Sequence, residues 1–110
     1  MIKQDAGFIA GISSTPGWSG AAKGSALYGA AKAAVATLLR SLDEDLAGSA
    51  VRVAVLYPMG AVDTPANRKA MPDVDPGTYI DPAELGAAVR FAAARGVRGR
   101  VTELPVYPRR

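Results

Sequence analysis

The run Val51-Arg52-Val53-Ala54-Val55-Leu56-Tyr57 is nearly all apolar, rich in β-branched side chains, and closed by Pro58. A strand with one solvated face alternates apolar and polar residues. A run without that alternation needs cover on both faces, as a central strand of a parallel sheet has. The neighbouring segments fit that demand. From about Ala26 to Ala47 the chain reads as one long helix, with Gly48 as its C-terminal cap. Ala31, Val35, Leu38, Leu39, Leu42 and Leu46 recur in steps of three and four and mark its buried face. Arg40, Asp43 and Glu44 lie on the other side, expected in water.

Ahead of that helix, Gly7-Phe8-Ile9-Ala10-Gly11-Ile12 reads as a short buried strand. It enters a loop that starts at Ser13-Ser14-Thr15-Pro16-Gly17 and lasts to about Ser25. Beyond Pro58, the stretch from Met59 to Ile80 holds Pro65, Pro72 and Pro76 and reads as a functional loop with one helical turn. Asp81-Pro82 opens a second helix that runs to about Ala94, with Leu85, Ala88, Val89 and Phe91 inward. Val101 to Tyr107 is the last expected strand. Strands separated by helices imply a parallel sheet with right-handed crossovers. The expected class is α/β, with about three strands and two main helices in a single domain, residues 1–110. So small a sheet has exposed edges and a thin core.

Composition narrows the chemistry. The chain has no cysteine and no histidine. Disulfide scaffolds, zinc fingers, cysteine nucleophiles and histidine triads are therefore excluded, and no metal site is expected. Proton transfer near neutral pH falls to tyrosine, lysine or a carboxylate. Net charge is +3, and from Arg90 onward six arginines face a single acid, Glu103. That segment lacks the interleaved aromatics of a single-strand platform and reads as a solvated loop and tail, so no nucleic-acid partner is expected. No apolar run approaches the ~20 residues of a membrane span, and Met1-Ile2-Lys3-Gln4-Asp5 is unlike a signal peptide. A cytoplasmic chain without a membrane partner is the expectation.

The residues that could carry chemistry are Tyr28 and Lys32, within Tyr28-Gly29-Ala30-Ala31-Lys32. Residues four apart on a helix lie about 40° apart around the axis, so the two share a face. An ammonium beside a phenol stabilises the phenolate, and a phenol so placed can give and take a proton near neutral pH. Ser13 and Ser14, at the end of the preceding strand, could hold a substrate oxygen against that phenol.

Gly11-Ile12-Ser13-Ser14, the glycine-rich loop, Tyr28 to Lys32, Val51-Arg52-Val53 running into Pro58, and Asp63-Thr64-Pro65 occur in that order. Together they resemble the C-terminal half of the short-chain dehydrogenases/reductases. The resemblance implies half of a Rossmann-type, doubly wound parallel sheet, with NAD or NADP as cofactor and a small carbonyl or alcohol as substrate. It also implies Ser14, Tyr28 and Lys32 as catalytic residues, with Ser13 as the alternative serine because the Ser14–Tyr28 gap is one residue longer than usual. Cofactor contacts would come from Tyr28, Lys32, Pro58, Gly60, Val62 and Thr64, with Met59 as an extra residue in the family's Pro-Gly-x-Val-x-Thr pattern. Residues 63–75 are similar to the substrate loop of dihydropteridine reductases. The family's phosphate-binding turn, Gly-x-x-x-Gly-x-Gly, is missing, so the chain is expected to be a partial domain. An intact enzyme would form a homo-oligomer through the helix bearing Tyr28. The alternative is a catalytically silent remnant that acts through protein–protein association.

Overall fold

In the computed structural model, which describes residues 1–110, β2 (Val51–Pro58) is the middle strand of a three-stranded parallel sheet. β1 (Gly7–Ile12) flanks it on one side, with Ile9 opposite Val53, and β3 (Glu103–Val106) flanks it on the other, with Leu56 opposite Leu104. The continuous apolar run of β2 meets the cover it demands. Val53, Val55 and Tyr57 face α2 (Ala26–Asp45) and pack with its Ala36 and Leu39. Ala54 and Leu56, on the opposite face, are fully buried as well, on the side where α4 (Pro82–Ala93) packs.

The buried stripe of α2 differs in part from the expected one. Ala36 and Leu39 are buried, with Val35, Leu42 and Leu46 packed beside them, whereas Leu38 and Ala31 point away from the sheet. Of the sheet, the helix covers β1 and β2, and its start packs on α1, so Leu38 and Ala31 meet no apolar partner. α2 also ends two residues early, at Asp45, and Gly48 at φ 90° turns the chain toward β2. On α4, Phe91 is exposed rather than buried and Ala92 takes the inner place. The Arg95 guanidinium lies 4.5 Å from the Phe91 ring and shields it. The last carbonyls of α4 are met by Arg52 from β2, which donates to Ala93 at 2.9 Å and also to Arg95. A cation at a helix C-terminus satisfies orphan acceptors and complements the dipole.

Two expected loops contain helices. Thr15–Ser19 forms α1, with Pro16 in its first turn and Gly20 at φ 79° ending it. Pro65–Ala70 forms α3, and a 3-10 turn follows at Pro76–Thr78. The long connection after β2 is closed on itself by a bridge between Val62 and Ile80. Its end is inside the protein, with Tyr79 and Ile80 buried. No helix is long and apolar enough to cross a membrane.

Arg40, exposed as expected, and Asp43, which is half-buried, also tie α2 to the C-terminal segment. Arg40 Nε meets Glu103 Oε1 at 2.5 Å, and Arg100 meets Asp43 at 2.7 Å. Between them sits the hydroxyl of Tyr57, which accepts from Arg40 at 2.8 Å and donates to Glu103 at 2.7 Å. Burial comes first among the causes that push the Tyr57 phenol up to about 12, and the hydrogen bond to Glu103 adds to it. Burial also opposes ionisation of Glu103, but the hydrogen bonds from Tyr57 and Arg40 outweigh it and hold that carboxyl below its ordinary range.

Candidate active site

Ser13 and Ser14 follow β1, where the chain leaves the C-terminal edge of the sheet. Neighbours in sequence, they have different surroundings. Ser13 is 2% exposed and its Oγ donates to the Lys32 carbonyl at 2.7 Å. A Cβ at position 17 would fall on that hydroxyl, which is why the middle residue of α1 is a glycine. Ser13 is thereby committed to joining β1 to α2. Ser14 stands at the N-cap of α1 in extended backbone, and its hydroxyl makes no capping bond. Both serines line one cavity, and of the two only the Ser14 hydroxyl has no protein partner there.

That cavity has a volume of about 420 Å³. Its lining includes Ser14, Tyr28, Lys32, Pro58, Gly60, Val62 and Asn67, so three separate segments converge on it. Tyr28 and Lys32 project from the first two turns of α2, one turn apart, as the four-residue spacing requires. Lys32 Nζ lies 6.0 Å from the Tyr28 ring centroid and donates to the Ile12 carbonyl at 3.3 Å. An ammonium has three protons to donate, so this bond fixes its position and leaves others for a ligand. No carboxylate lines the cavity. A separate cavity of about 340 Å³ beside Leu39, Arg40 and Glu103 contains none of these residues.

The segment after β2 forms the far wall. Met59, the extra residue, is absorbed by the sheet: its N–H donates to the Val106 carbonyl at 2.8 Å and its side chain packs against the core. Gly60 then runs against Pro108, where a Cβ would come within 2.8 Å of the proline ring. Thr64 is not among the lining residues. Its hydroxyl caps α3, accepting from the Asn67 N–H at 3.1 Å. Asn67 was expected only as part of the substrate loop, with no contact of its own; its Nδ2 donates to the Val62 carbonyl at 2.8 Å and the residue lines the cavity. The local pattern Thr64-Pro65-Ala66-Asn67 was the available signal, since a threonine N-cap followed by proline starts a helix and brings its third residue back to the cap. Just outside, the Arg68 guanidinium forks onto Asp63 at 2.5 and 2.7 Å and holds that carboxyl below its ordinary range.

Trp18, in α1, packs edge-on against Tyr57 with ring centroids 5.0 Å apart. The segment after Ser14 is thus braced on the strand that leads to Pro58. The arrangement offers a phenol, an ammonium and a hydroxyl around a space large enough for a small ligand.

The profile of the family described as short chain dehydrogenase matches residues 1–75. An uncharacterised oxidoreductase of Staphylococcus saprophyticus is 36% identical over 98% of the chain, and one of Staphylococcus aureus is 32% identical over the same share. The chain spans 44% and 45% of those two relatives. Among solved structures, serine dehydrogenase from Escherichia coli superposes with a TM-score of 0.77 at 26% identity, over 98% of this chain and 43% of that one. A closed form of serine dehydrogenase complexed with NADP+ gives 0.80 at 25% identity, over 98% of this chain and 46% of that one. Three parallel strands in this order, a helix carrying Tyr28 and Lys32, and a family match over more than half the residues agree, and the chain belongs to the short-chain dehydrogenase family.

Proposed function

We propose that these residues are the catalytic and substrate side of an NAD- or NADP-dependent oxidoreductase acting on a small carbonyl or alcohol, in a chain that is part of such a domain. The single observation that carries the reading is the convergence of Ser14, Tyr28 and Lys32 on one cavity with Pro58, Gly60 and Val62. The cavity fits the nicotinamide-ribose end of a dinucleotide: it is small, carboxylate-free, and holds an ammonium with protons to spare for ribose hydroxyls. Tyr28 and Lys32 would contact the ribose, and Pro58, Gly60 and Val62 the nicotinamide. Thr64, occupied as a helix cap, is left out of this contact set.

A nicotinamide cofactor, when bound, exchanges hydride with the substrate carbon. In the reducing direction the Tyr28 hydroxyl donates its proton to the substrate oxygen. The Lys32 ammonium stabilises the phenolate left behind, held in place by its bond to the Ile12 carbonyl. The Ser14 hydroxyl, free of any capping bond, donates to the oxygen as charge develops on it. In oxidation the same groups work in reverse. Residues 65–80 and the Trp18 segment flank the cavity and would select the substrate.

Titration of the purified chain with NADH and NADPH, by calorimetry and nicotinamide fluorescence, tests the reading. Without a phosphate-binding turn, dissociation constants should lie near the millimolar range, ~4 kcal/mol of binding. Lys32→Ala should abolish what binding there is. Low-micromolar binding at a stoichiometry of one would overturn this placement of the affinity. In a chain carrying the rest of the domain, Tyr28→Phe should lower turnover by about 100-fold or more with little change in cofactor affinity. Equal losses in both would mean that Tyr28 only positions ligand.

The second reading is a silent remnant that acts by association. It is favoured by the unpaired edge of β1.

A further inference from the structure

We infer that Trp18 is a positioning residue: seated on Tyr57, it sets where the Ser14 hydroxyl stands relative to Tyr28 and Lys32. This rests on the proposed role of Ser14 and extends it to a side chain outside the cavity. The Ser14 hydroxyl makes no capping bond. A hydroxyl left free for a ligand has no bond of its own to hold it, so its place is that of its backbone. That backbone is the start of α1, which has five residues. So short a helix, with Gly17 at its middle, does not persist by itself, and packing decides where it lies.

α1 packs on two elements. Pro16 and Gly17 meet α2: Pro16 is buried close to Gly29, and a Cβ on Gly17 would strike both the Ser13 hydroxyl and the Lys32 carbonyl. Trp18 reaches β2 instead, where its ring meets the Tyr57 ring edge-on with centroids 5.0 Å apart. Edge-on aromatic pairs prefer a defined geometry, so the contact sets a direction as well as covering area.

Tyr57 is a fixed seat. Its side chain is fully buried, Arg40 donates to its hydroxyl at 2.8 Å, and that hydroxyl donates to Glu103 at 2.7 Å. Arg40 stands about two turns beyond Lys32 on α2, the helix that carries both of Ser14's partners. Pro58, which follows Tyr57 in β2, opens the far wall of the cavity. The path from Trp18 through Tyr57 to Arg40 therefore refers the Ser14 segment to the other two segments of the site. Trp18 itself does not line the cavity, so what it does for the reaction it does through Ser14. A misplacement of about 1 Å in a reacting group can cost on the order of 100-fold in rate.

Hydrogen exchange on the 110-residue chain tests the placement without reference to activity. The Gly17 N–H donates to the Ser14 carbonyl at 2.9 Å and reports the turn that carries Ser14. Trp18→Ala should speed its exchange by about tenfold or more, while amides in the middle of α2 keep their rates. Trp18→Tyr, which can still meet Tyr57 edge-on, should return the Gly17 rate to within about threefold of the wild type. Should circular dichroism show Trp18→Ala to be unfolded, Trp18→Leu takes its place. Unchanged Gly17 exchange in the folded variant, or no rescue by tyrosine, would overturn the proposal. In a chain carrying the rest of the domain, Trp18→Ala should lower kcat by about tenfold and leave cofactor affinity unchanged. In a Ser14→Ala background the same substitution should cost less than about twofold, because the group it positions is gone. The full loss in that background overturns the positioning role and leaves the reading of Ser14 standing. Turnover indifferent to Ser14→Ala alone overturns that reading and this inference with it.

Discussion

Two tyrosines in this chain each lie near a cation, and the comparison separates structure from chemistry. Tyr57 is fully buried, with the Arg40 guanidinium 5.8 Å from its ring and the Glu103 carboxylate accepting its proton. Tyr28 is 50% exposed, with the Lys32 ammonium 6.0 Å from its ring and no carboxylate in the cavity it lines. Distances to the cation are almost equal. Burial and the carboxylate make the difference: they hold Tyr57 neutral to about 12 and bind it into a strand–helix–strand tie. A phenol that is to exchange protons needs water on one side and no acceptor already holding its hydrogen, and of these two only Tyr28 meets both conditions.

Truncation should give the largest contrast. Tyr57→Ala should cost about 3–5 kcal/mol of stability, because it opens a cavity under α2 and strands Glu103. Tyr28→Ala, at an exposed position, should stay within about 0.5 kcal/mol. Urea unfolding followed by circular dichroism measures both, and equal losses would break the comparison. Alkaline pH should give the next effect. The unfolded chain releases the Tyr57 proton near 10 and the folded chain near 12, so protons leave the unfolded state first. The contribution to stability is complete below pH 10 and is lost as pH rises to 12, by about 2 kcal/mol. Unfolding curves across that window should lose this slope in Tyr57→Phe while Tyr28→Phe retains it. The smallest contrast is the hydroxyl alone at neutral pH. Tyr57→Phe should cost about 1–2 kcal/mol by leaving Arg40 and Glu103 one partner short, whereas Tyr28→Phe should be near neutral in the same unfolding assay.

These contrasts bear on how the site could be read at all. Tyr28 and Lys32 are legible in sequence because helical periodicity alone puts residues four apart on one face. The Tyr57 tie is not, because Arg40 and Glu103 are 63 residues apart and meet only when α2 and β3 flank the same strand. Asn67 was hidden for a related reason: it reaches the cavity only after Thr64 has started α3. Phe91 looked buried because periodicity marks a helix face without saying how wide the surface beneath it is. With three strands, that surface ends before Phe91.

The sequence by itself determined the order of elements, the parallel sheet and the pairing of tyrosine with lysine. Each rests on local rules, namely propensity, period and punctuation, that act over a few residues. Tertiary structure alone gave Ser13 and Ser14 different hydrogen-bond partners. Both are hydroxyls at the same strand end, and nothing local separates them. Once α2 packs on β1, the Lys32 carbonyl comes within 2.7 Å of Ser13 Oγ and accepts its hydrogen bond, while the Ser14 hydroxyl, in the same cavity wall, is left without a capping bond.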